Sequence, residues 1–173
     1  MKQRRMLNRD NQKKTMTDTK GIKKEVVNFR NKELEKHVRE KIKKSEGDIY
    51  NTDFQGINVI NLNVENHLFR LRKEEGADEI RINKIQMGNF DDFSLFPNLS
   101  KIMICALQVD ANDLETMARL KSLSTLVFES CQILDVSALS SLTNLTVLDL
   151  SKNPVSDKSL LDDLKKSGIY IYY

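Results

Sequence analysis

The 173-residue sequence predicts an α/β solenoid of about five parallel strands, preceded by a helical cap. Two observations carry this prediction. An apolar spacing recurs through the second half of the chain, and an amphipathic helical stripe precedes it. A chain of this length buries roughly 70% of its unfolded surface, so its core needs no disulfide scaffold. No apolar run approaches the length of a transmembrane helix.

The recurring spacing predicts one coil for each copy. Apolar residues occupy positions 1, 4, 6, 9 and 11 of a copy and return near 14, 17 and 20, and first positions fall at 77, 99, 123 and 145 after a degenerate copy at 57. Positions 4 and 6 point the same way from a short strand, while the later set has helical spacing. A single coil leaves one apolar face uncovered, so stacked coils bury a continuous core. We assign the repeated Leu and Ile residues to that core.

Position 9 of the repeat, which is apolar in the earlier copies, is a thiol or an amide in the last two. It holds Cys131 in one copy and Asn153 in the next. We expect these side chains to point inward and to bond the backbone of a neighbouring coil.

The segment before the repeats predicts a cap. Phe29, Leu34, Val38 and Ile42 form one stripe of a helix. Asn31 is the expected N-cap, Gly47 the expected stop, and Thr52 with Asp53 the expected cap of a following turn. The predicted organisation is therefore a basic flexible arm over residues 1–25, a helical cap over 26–55 and a repeat array over 56–173. The alternation of Ile169-Tyr-Ile-Tyr-Tyr173 indicates a last strand.

At this point the chain resembles the leucine-rich repeat family, with its pattern L-x-x-L-x-L-x-x-N/C-x-L. Residues 96–100 (Phe-Pro-Asn-Leu-Ser) and 142–146 (Leu-Thr-Asn-Leu-Thr) are similar to the helix-to-strand junction of its bacterial, internalin-like class of 22-residue repeats. Residues 29–39 are similar to the start of the cap in that class. The resemblance implies a short right-handed solenoid with strands on the concave face and short helices or 3₁₀ turns on the convex face. It also implies protein recognition in a bacterium.

The resemblance places the odd strand positions on the concave face. An apolar centre with a charged rim is typical of protein interfaces, whereas scattered surface hydrophobes are the alternative. We predict a partner-binding surface made of Arg81, Lys101, Met103, Cys105, Thr125, Val127, Glu129, Val147 and Asp149.

Charge is concentrated at the N-terminus. Residues 1–24 hold nine Lys or Arg and two Asp, a net of +7, while the remaining 19 basic and 23 acidic residues give −4. This segment is either an electrostatic arm for nucleic acid, an anionic membrane or an acidic protein, or a solubilising tail. The residues proposed for such an arm are Lys2, Arg4, Arg5, Arg9, Lys13 and Lys14.

No catalytic, cofactor or metal motif is recognised, so we predict no enzyme and no cofactor. Cys105 with His67 is a conceivable nucleophile and base, but a buried core thiol is the better interpretation. We expect the Asp91-Asp92 and Asp162-Asp163 pairs to be solvated turn charges.

The predicted function is a protein-recognition adaptor in the cytoplasm, since no secretory signal or transmembrane segment is recognised. Its protein partner is not identified by the sequence. The alternative is an adaptor that docks on nucleic acid or an anionic membrane through the arm. Residues 170–173 are a further candidate for self-association at a sheet edge, with simple capping of the array as the competing interpretation.

Overall fold

The computed structural model describes residues 23–63, 79–83 and 90–173. The strands are β1 (Val26–Val27), β2 (Ile49–Tyr50), β3 (Val59–Asn63), β4 (Glu79–Asn83), β5 (Lys101–Cys105), β6 (Thr125–Glu129), β7 (Val147–Asp149) and β8 (Tyr170–Tyr172). The helices are α1 (Lys32–Ile42), α2 (Ala111–Ala118) and α3 (Lys158–Lys166), together with 3₁₀ helices at Asp91–Leu95 and Ser137–Ser141.

Six parallel strands form the main sheet, in the order β4-β3-β5-β6-β7-β8. Position 4 of every copy lies in one row across this sheet: Ile80, Ile60, Ile102, Leu126, Leu148 and Ile171. The first five of these side chains are buried, and Ile171 packs against the same core. The prediction that the repeated Leu and Ile residues form one continuous core is confirmed for these positions. The sheet gains a sixth strand because residues 170–172 pair with β7 as the alternation predicts.

The first two strands of the sheet do not follow chain order, which corrects the predicted sequential stacking. β3 lies between β4 and β5. Ser100 Oγ donates to Asn58 O at 3.2 Å, a reach of 42 residues, whereas Ser124 Oγ donates to Ser100 O at 3.1 Å, a reach of 24. The coil of β5 therefore stacks directly on the coil of β3. β4 is an additional strand at the edge of the sheet. The sequence could not predict this order, because the side-chain period determines the register of a strand but not which strand lies next to it.

The position-9 side chains connect adjacent coils as predicted. Asn153 Oδ1 accepts from the backbone N–H of Cys131 at 2.9 Å and of Ile133 at 3.1 Å. Its Nδ2 donates to Phe128 O at 2.6 Å and also to two carbonyls of its own turn. Cys131 Sγ donates to Ile104 O at 3.3 Å. These bonds satisfy buried backbone groups where the chain turns away from the sheet.

The cap shares its core with the array through three aromatic rings. The Phe54 ring centroid lies 5.8 Å from that of Phe29 and 5.1 Å from that of Phe96. All three rings are buried. Helix α1 packs along β4, so the cap covers that edge of the sheet. A two-stranded antiparallel sheet of β1 and β2, which the sequence analysis did not predict, completes the cap.

The start of α1 is as predicted, but its end is not. Asn31 accepts a hydrogen bond from Leu34 N–H at 2.9 Å and is the N-cap. The helix ends at Ile42, because Lys43 adopts a left-handed conformation with φ 56° and closes the last turn. Gly47 also has a positive φ, but it lies in the turn that follows, so its predicted role as the stop is wrong.

Asp92 is buried, which corrects its assignment to a solvated turn. Its carboxylate accepts from the Asn31 N–H at 2.7 Å, and the neighbouring Asp91 pairs with Arg30 at 2.8 Å. Asp91 and Asp92 thus bond the start of α1 to the 3₁₀ helix Asp91–Leu95. Asp162 and Asp163 are exposed as predicted.

Asp53 stabilises the turn after β2 in a pH-dependent way. Its carboxylate accepts from Tyr50 N–H at 3.0 Å and from Lys44 Nζ at 3.0 Å. Burial raises the pKa of this carboxyl, but the hydrogen bond from Tyr50 and the charge of Lys44 outweigh burial, so the pKa lies below its ordinary value of 3.8. A depressed pKa in the folded state stabilises the fold above the ordinary pKa. That contribution is lost as pH falls through the folded value.

We therefore expect Asp53→Asn to lower the free energy of unfolding by about 1 kcal/mol at pH 7. The difference from wild type shrinks as the pH falls below 3.8. Urea unfolding at neutral and acidic pH measures both effects, and the exposed Asp48→Asn is the matched control. A loss that is the same at both pH values would contradict this account of Asp53.

A left-handed residue follows three successive strands of the array. Ala106, Ser130 and Lys152 have φ of 56°, 56° and 60°. Because a side chain destabilises this conformation, we expect Ser130→Gly to raise the free energy of unfolding by about 0.5–1 kcal/mol. Ala138→Gly, at a negative φ in a 3₁₀ helix, is expected to lower it. Chemical denaturation of both variants checks the prediction, which fails if both shift in the same direction.

Candidate functional site

The odd positions of the strands form three rows on the face opposite the main core. The first row is Glu79, Val59, Lys101, Thr125, Val147 and Tyr170. The second is Arg81, Asn61, Met103, Val127, Asp149 and Tyr172. The third is Asn83, Asn63, Cys105 and Glu129. Every residue predicted for the concave face therefore shares one sheet. For Arg81 the structure describes only its place in β4, beside Asn61.

The middle of this face is apolar but offers little surface. Val59, Met103 and Val127 form a small cluster separate from the main core, and their exposed fractions are 5%, 5% and 9%. Val59 joins this cluster because β3 is the neighbour of β5. Side chains about 4.8 Å apart on adjacent strands cover one another. Met103 and Val127 are thus less accessible than the sequence analysis predicts.

Glu129 and Cys105 lie together in the third row. Glu129 is only 8% exposed, and its Oε1 accepts from Lys152 Nζ at 2.5 Å. Its Oε2 lies 3.9 Å from Cys105 Sγ. The hydrogen bond to Glu129 raises the pKa of Lys152. Glu129 belongs to the predicted partner-binding surface, but its ion pair with Lys152 balances its negative charge within this chain. Lys152 was not predicted for this surface, because its contact with Glu129 joins two different coils and leaves no local sequence signal.

The accessible part of the face lies toward β7 and β8. Thr125 and Val147 are half-buried, and Asp149 accepts from Ser151 N–H at 2.9 Å. Tyr170 and Tyr172 extend the same rows and are 70% and 58% exposed. These tyrosines were predicted at a sheet edge and not as part of the concave face. The alternation of Ile and Tyr over residues 169–173 is the sequence signal from which their place in these two rows follows.

The structure does not describe both members of the conceivable catalytic pair, Cys105 and His67. His67 lies outside the described residues, as do the arm residues Lys2, Arg4, Arg5, Arg9, Lys13 and Lys14. Cys105 is buried beside a carboxylate. Burial raises the pKa of the Cys131 thiol to about 12, so this thiol stays protonated. Among residues 23–63, 79–83 and 90–173, no group of three or more His, Cys, Asp and Glu is arranged to hold a metal ion.

Comparison with known proteins identifies the fold. An internalin from Listeria monocytogenes, solved as a crystal structure, superposes with a TM-score of 0.53 at 21% sequence identity. The match covers 83% of this chain and 36% of the internalin, so the chain spans about a third of that protein's length. The chain has a leucine-rich-repeat fold. No protein-family model matches the sequence. No curated protein matches it either.

The repeat positions agree with that fold. Each strand of the leucine-rich repeat array from β5 to β7 is followed by a helical segment on the far side of the coil, namely α2, Ser137–Ser141 and α3. In the described part of the chain, none of these helices is long and apolar enough to span a membrane.

Proposed function

We propose that this protein is a non-enzymatic recognition module that binds a partner protein on the concave face of its leucine-rich repeats. The observation that carries the proposal is the register of the odd positions, which aligns one residue from each of six strands in each of two rows. A surface held by strand pairing loses little conformational entropy when it binds.

The composition of the face supports a protein partner. A nearly covered apolar centre of Val59, Met103 and Val127 is bordered by Lys101, Thr125, Val147 and Asp149. Two exposed tyrosines lie next to Val147 and Asp149. Tyrosine is enriched among the residues that dominate binding energy at protein interfaces. The tyrosine end of the face therefore supplies the anchor, and the polar border supplies selectivity.

The finer assignment of the repeats belongs to the same proposal. Thr146 Oγ1 donates to Ser124 O at 2.9 Å across 22 residues, and Asn153 bonds Cys131 across the same interval. These offsets support the internalin-like class of 22-residue repeats. We also propose a bacterial origin, which rests on the resemblance to that class, and a cytoplasmic location, which rests on the sequence alone.

The proposal is tested by site-specific photo-cross-linking in an extract of the source cells. We expect a photoreactive amino acid at Val147 to capture a partner that the same group at Ser140, an exposed residue of the 3₁₀ helix Ser137–Ser141, does not capture. Thr125→Arg with Val147→Arg should then weaken binding of the purified partner at least about tenfold, as measured by calorimetry. The matched variant Ser140→Arg with Thr143→Arg adds the same charge at exposed positions of the 3₁₀ helix Ser137–Ser141 and of the turn that follows it.

The outcome separates the concave face from the basic arm. Equal capture from both positions, or a dissociation constant unchanged by Thr125→Arg with Val147→Arg, would contradict the proposal. Binding that weakens steeply with salt and disappears when residues 1–22 are deleted would favour the alternative adaptor, which docks on nucleic acid or an anionic membrane.

A further inference from the structure

The two edges of the main sheet differ. Helix α1 packs along β4 at one edge. In the described part of the chain, no strand pairs with the outer edge of β8 at the other. Tyr170, Tyr172 and Tyr173, beside this edge, are 70%, 58% and 51% exposed. A sheet edge with unpaired amides and exposed aromatic residues is a template for pairing with another strand.

The backbone of β8 shows which groups face outward. Tyr170 N–H donates to Thr146 O at 2.8 Å, and Tyr172 O accepts from Leu150 N–H at 2.6 Å. Along a strand the amide and carbonyl of alternate residues point to opposite sides. The backbone groups of Tyr170 and Tyr172 therefore face β7, and those of Ile171 face the open edge.

The sequence Tyr170-Ile171-Tyr172 is a palindrome centred on that outward residue. In an antiparallel pair, two opposed residues exchange both N–H···O=C bonds, and the residues on either side lie opposite each other. Two copies of β8 that meet at Ile171 therefore satisfy both of its backbone groups. The same arrangement places Tyr170 against the partner subunit's Tyr172, with both ring pairs on the concave side.

We propose that this edge is a dimerisation site at which β8 pairs antiparallel with β8 of a second copy of the chain, about a two-fold axis that passes midway between the Ile171 residues of the two copies. The proposal does not depend on the partner protein proposed above. We choose a second copy as the occupant because β8 is complementary to itself. Its sequence is a palindrome, the N–H and C=O of its central residue both face outward, and both of its rings lie on one face of the sheet.

The area available makes the dimer weak. The two tyrosines that the pairing opposes, Tyr170 and Tyr172, are 70% and 58% exposed and supply about 100–150 Å² each, so two copies bury roughly 400–600 Å² of ring surface. Stable interfaces bury at least about 1,200 Å². We therefore expect a dissociation constant on the order of 10–100 μM.

Sedimentation equilibrium over about 5–500 μM tests the proposal directly. The expected mass rises from the 20.0 kDa of one chain toward twice that value. Tyr170→Lys with Tyr172→Lys should stay at one chain throughout with an unchanged far-ultraviolet circular dichroism spectrum, because charged edges repel. The matched Ser140→Lys with Thr143→Lys should behave as wild type.

The register has its own test. An equimolar mixture of the single variants Tyr170→Cys and Tyr172→Cys, each of which keeps the other tyrosine, should on oxidation at high concentration join position 170 of one copy to 172 of the other, as mapped by mass spectrometry. Opposed residues lie within disulfide reach, whereas like positions lie about 8 Å apart. A mass that stays at one chain at all concentrations, a Lys variant that dimerises like wild type, or links between like positions would each overturn the proposal. Binding of an extended peptide to a chain that stays monomeric would overturn the choice of occupant.

Discussion

Replacing Asn153 by alanine is expected to lower the free energy of unfolding by about 3 kcal/mol, because it leaves several buried backbone groups without partners. The amide of Asn153 accepts from Cys131 and Ile133 and donates to Phe128 and to two carbonyls of its own turn. Urea unfolding monitored by circular dichroism measures the loss.

Two further variants separate this explanation from a general loss of polarity. Asn144→Ala removes an exposed amide that donates to Lys121 O, so its loss should stay under about 1 kcal/mol. Asn153→Cys should fall between the two, because Cys131 makes equivalent bonds to backbone carbonyls from the same repeat position. Equal losses for Asn153→Ala and Asn144→Ala would show that the coils do not depend on this amide.

The second large effect is expected at the junction between cap and array. Phe54→Ala removes a ring that is 1% exposed and lies against Phe29 and Phe96. Cavities left by buried aromatic residues cost about 3–5 kcal/mol. Since the ring joins the cap to the first coils, the variant should still unfold in one transition but at much lower denaturant concentration.

Phe54→Leu is the control for this cavity. It keeps an apolar side chain of intermediate size and should lose about 1–2 kcal/mol. Tyrosine fluorescence and circular dichroism, followed together through a denaturant titration, reveal whether cap and array unfold as one unit. Two separate transitions in the wild-type protein would contradict the shared core, and so would a loss under about 1 kcal/mol for Phe54→Ala.

Periodicity alone predicts much of this fold. A side-chain period of two along each strand determines which residues face the core, so the row from Ile80 to Ile171 follows from the sequence. The N-cap at Asn31 and the inward roles of Cys131 and Asn153 follow from local chemistry. The reversed order of β3 and β4 does not follow, because either neighbour of β5 preserves the same register.

The candidate site was less predictable. Alternation places Met103, Val127 and Glu129 on the concave face, but their burial depends on which strand lies alongside and on Lys152 from another coil. Asp92 is buried for the same reason, since its partner Asn31 is 61 residues away. Contacts between distant coils decide these exposures, and no local pattern encodes them.

The central claim is that the coils share one in-register sheet in which β3 lies between β4 and β5, and disulfide trapping tests it most directly. Residues in register on adjacent strands lie about 4.8 Å apart at Cα, within disulfide reach, and those two strands apart lie about 9.6 Å apart. Val59→Cys with Lys101→Cys should therefore cross-link readily under mild oxidation, while Glu79→Cys with Lys101→Cys should not. Rapid cross-linking of positions 79 and 101 without cross-linking of 59 and 101 would contradict the strand order and the recognition surface built on it.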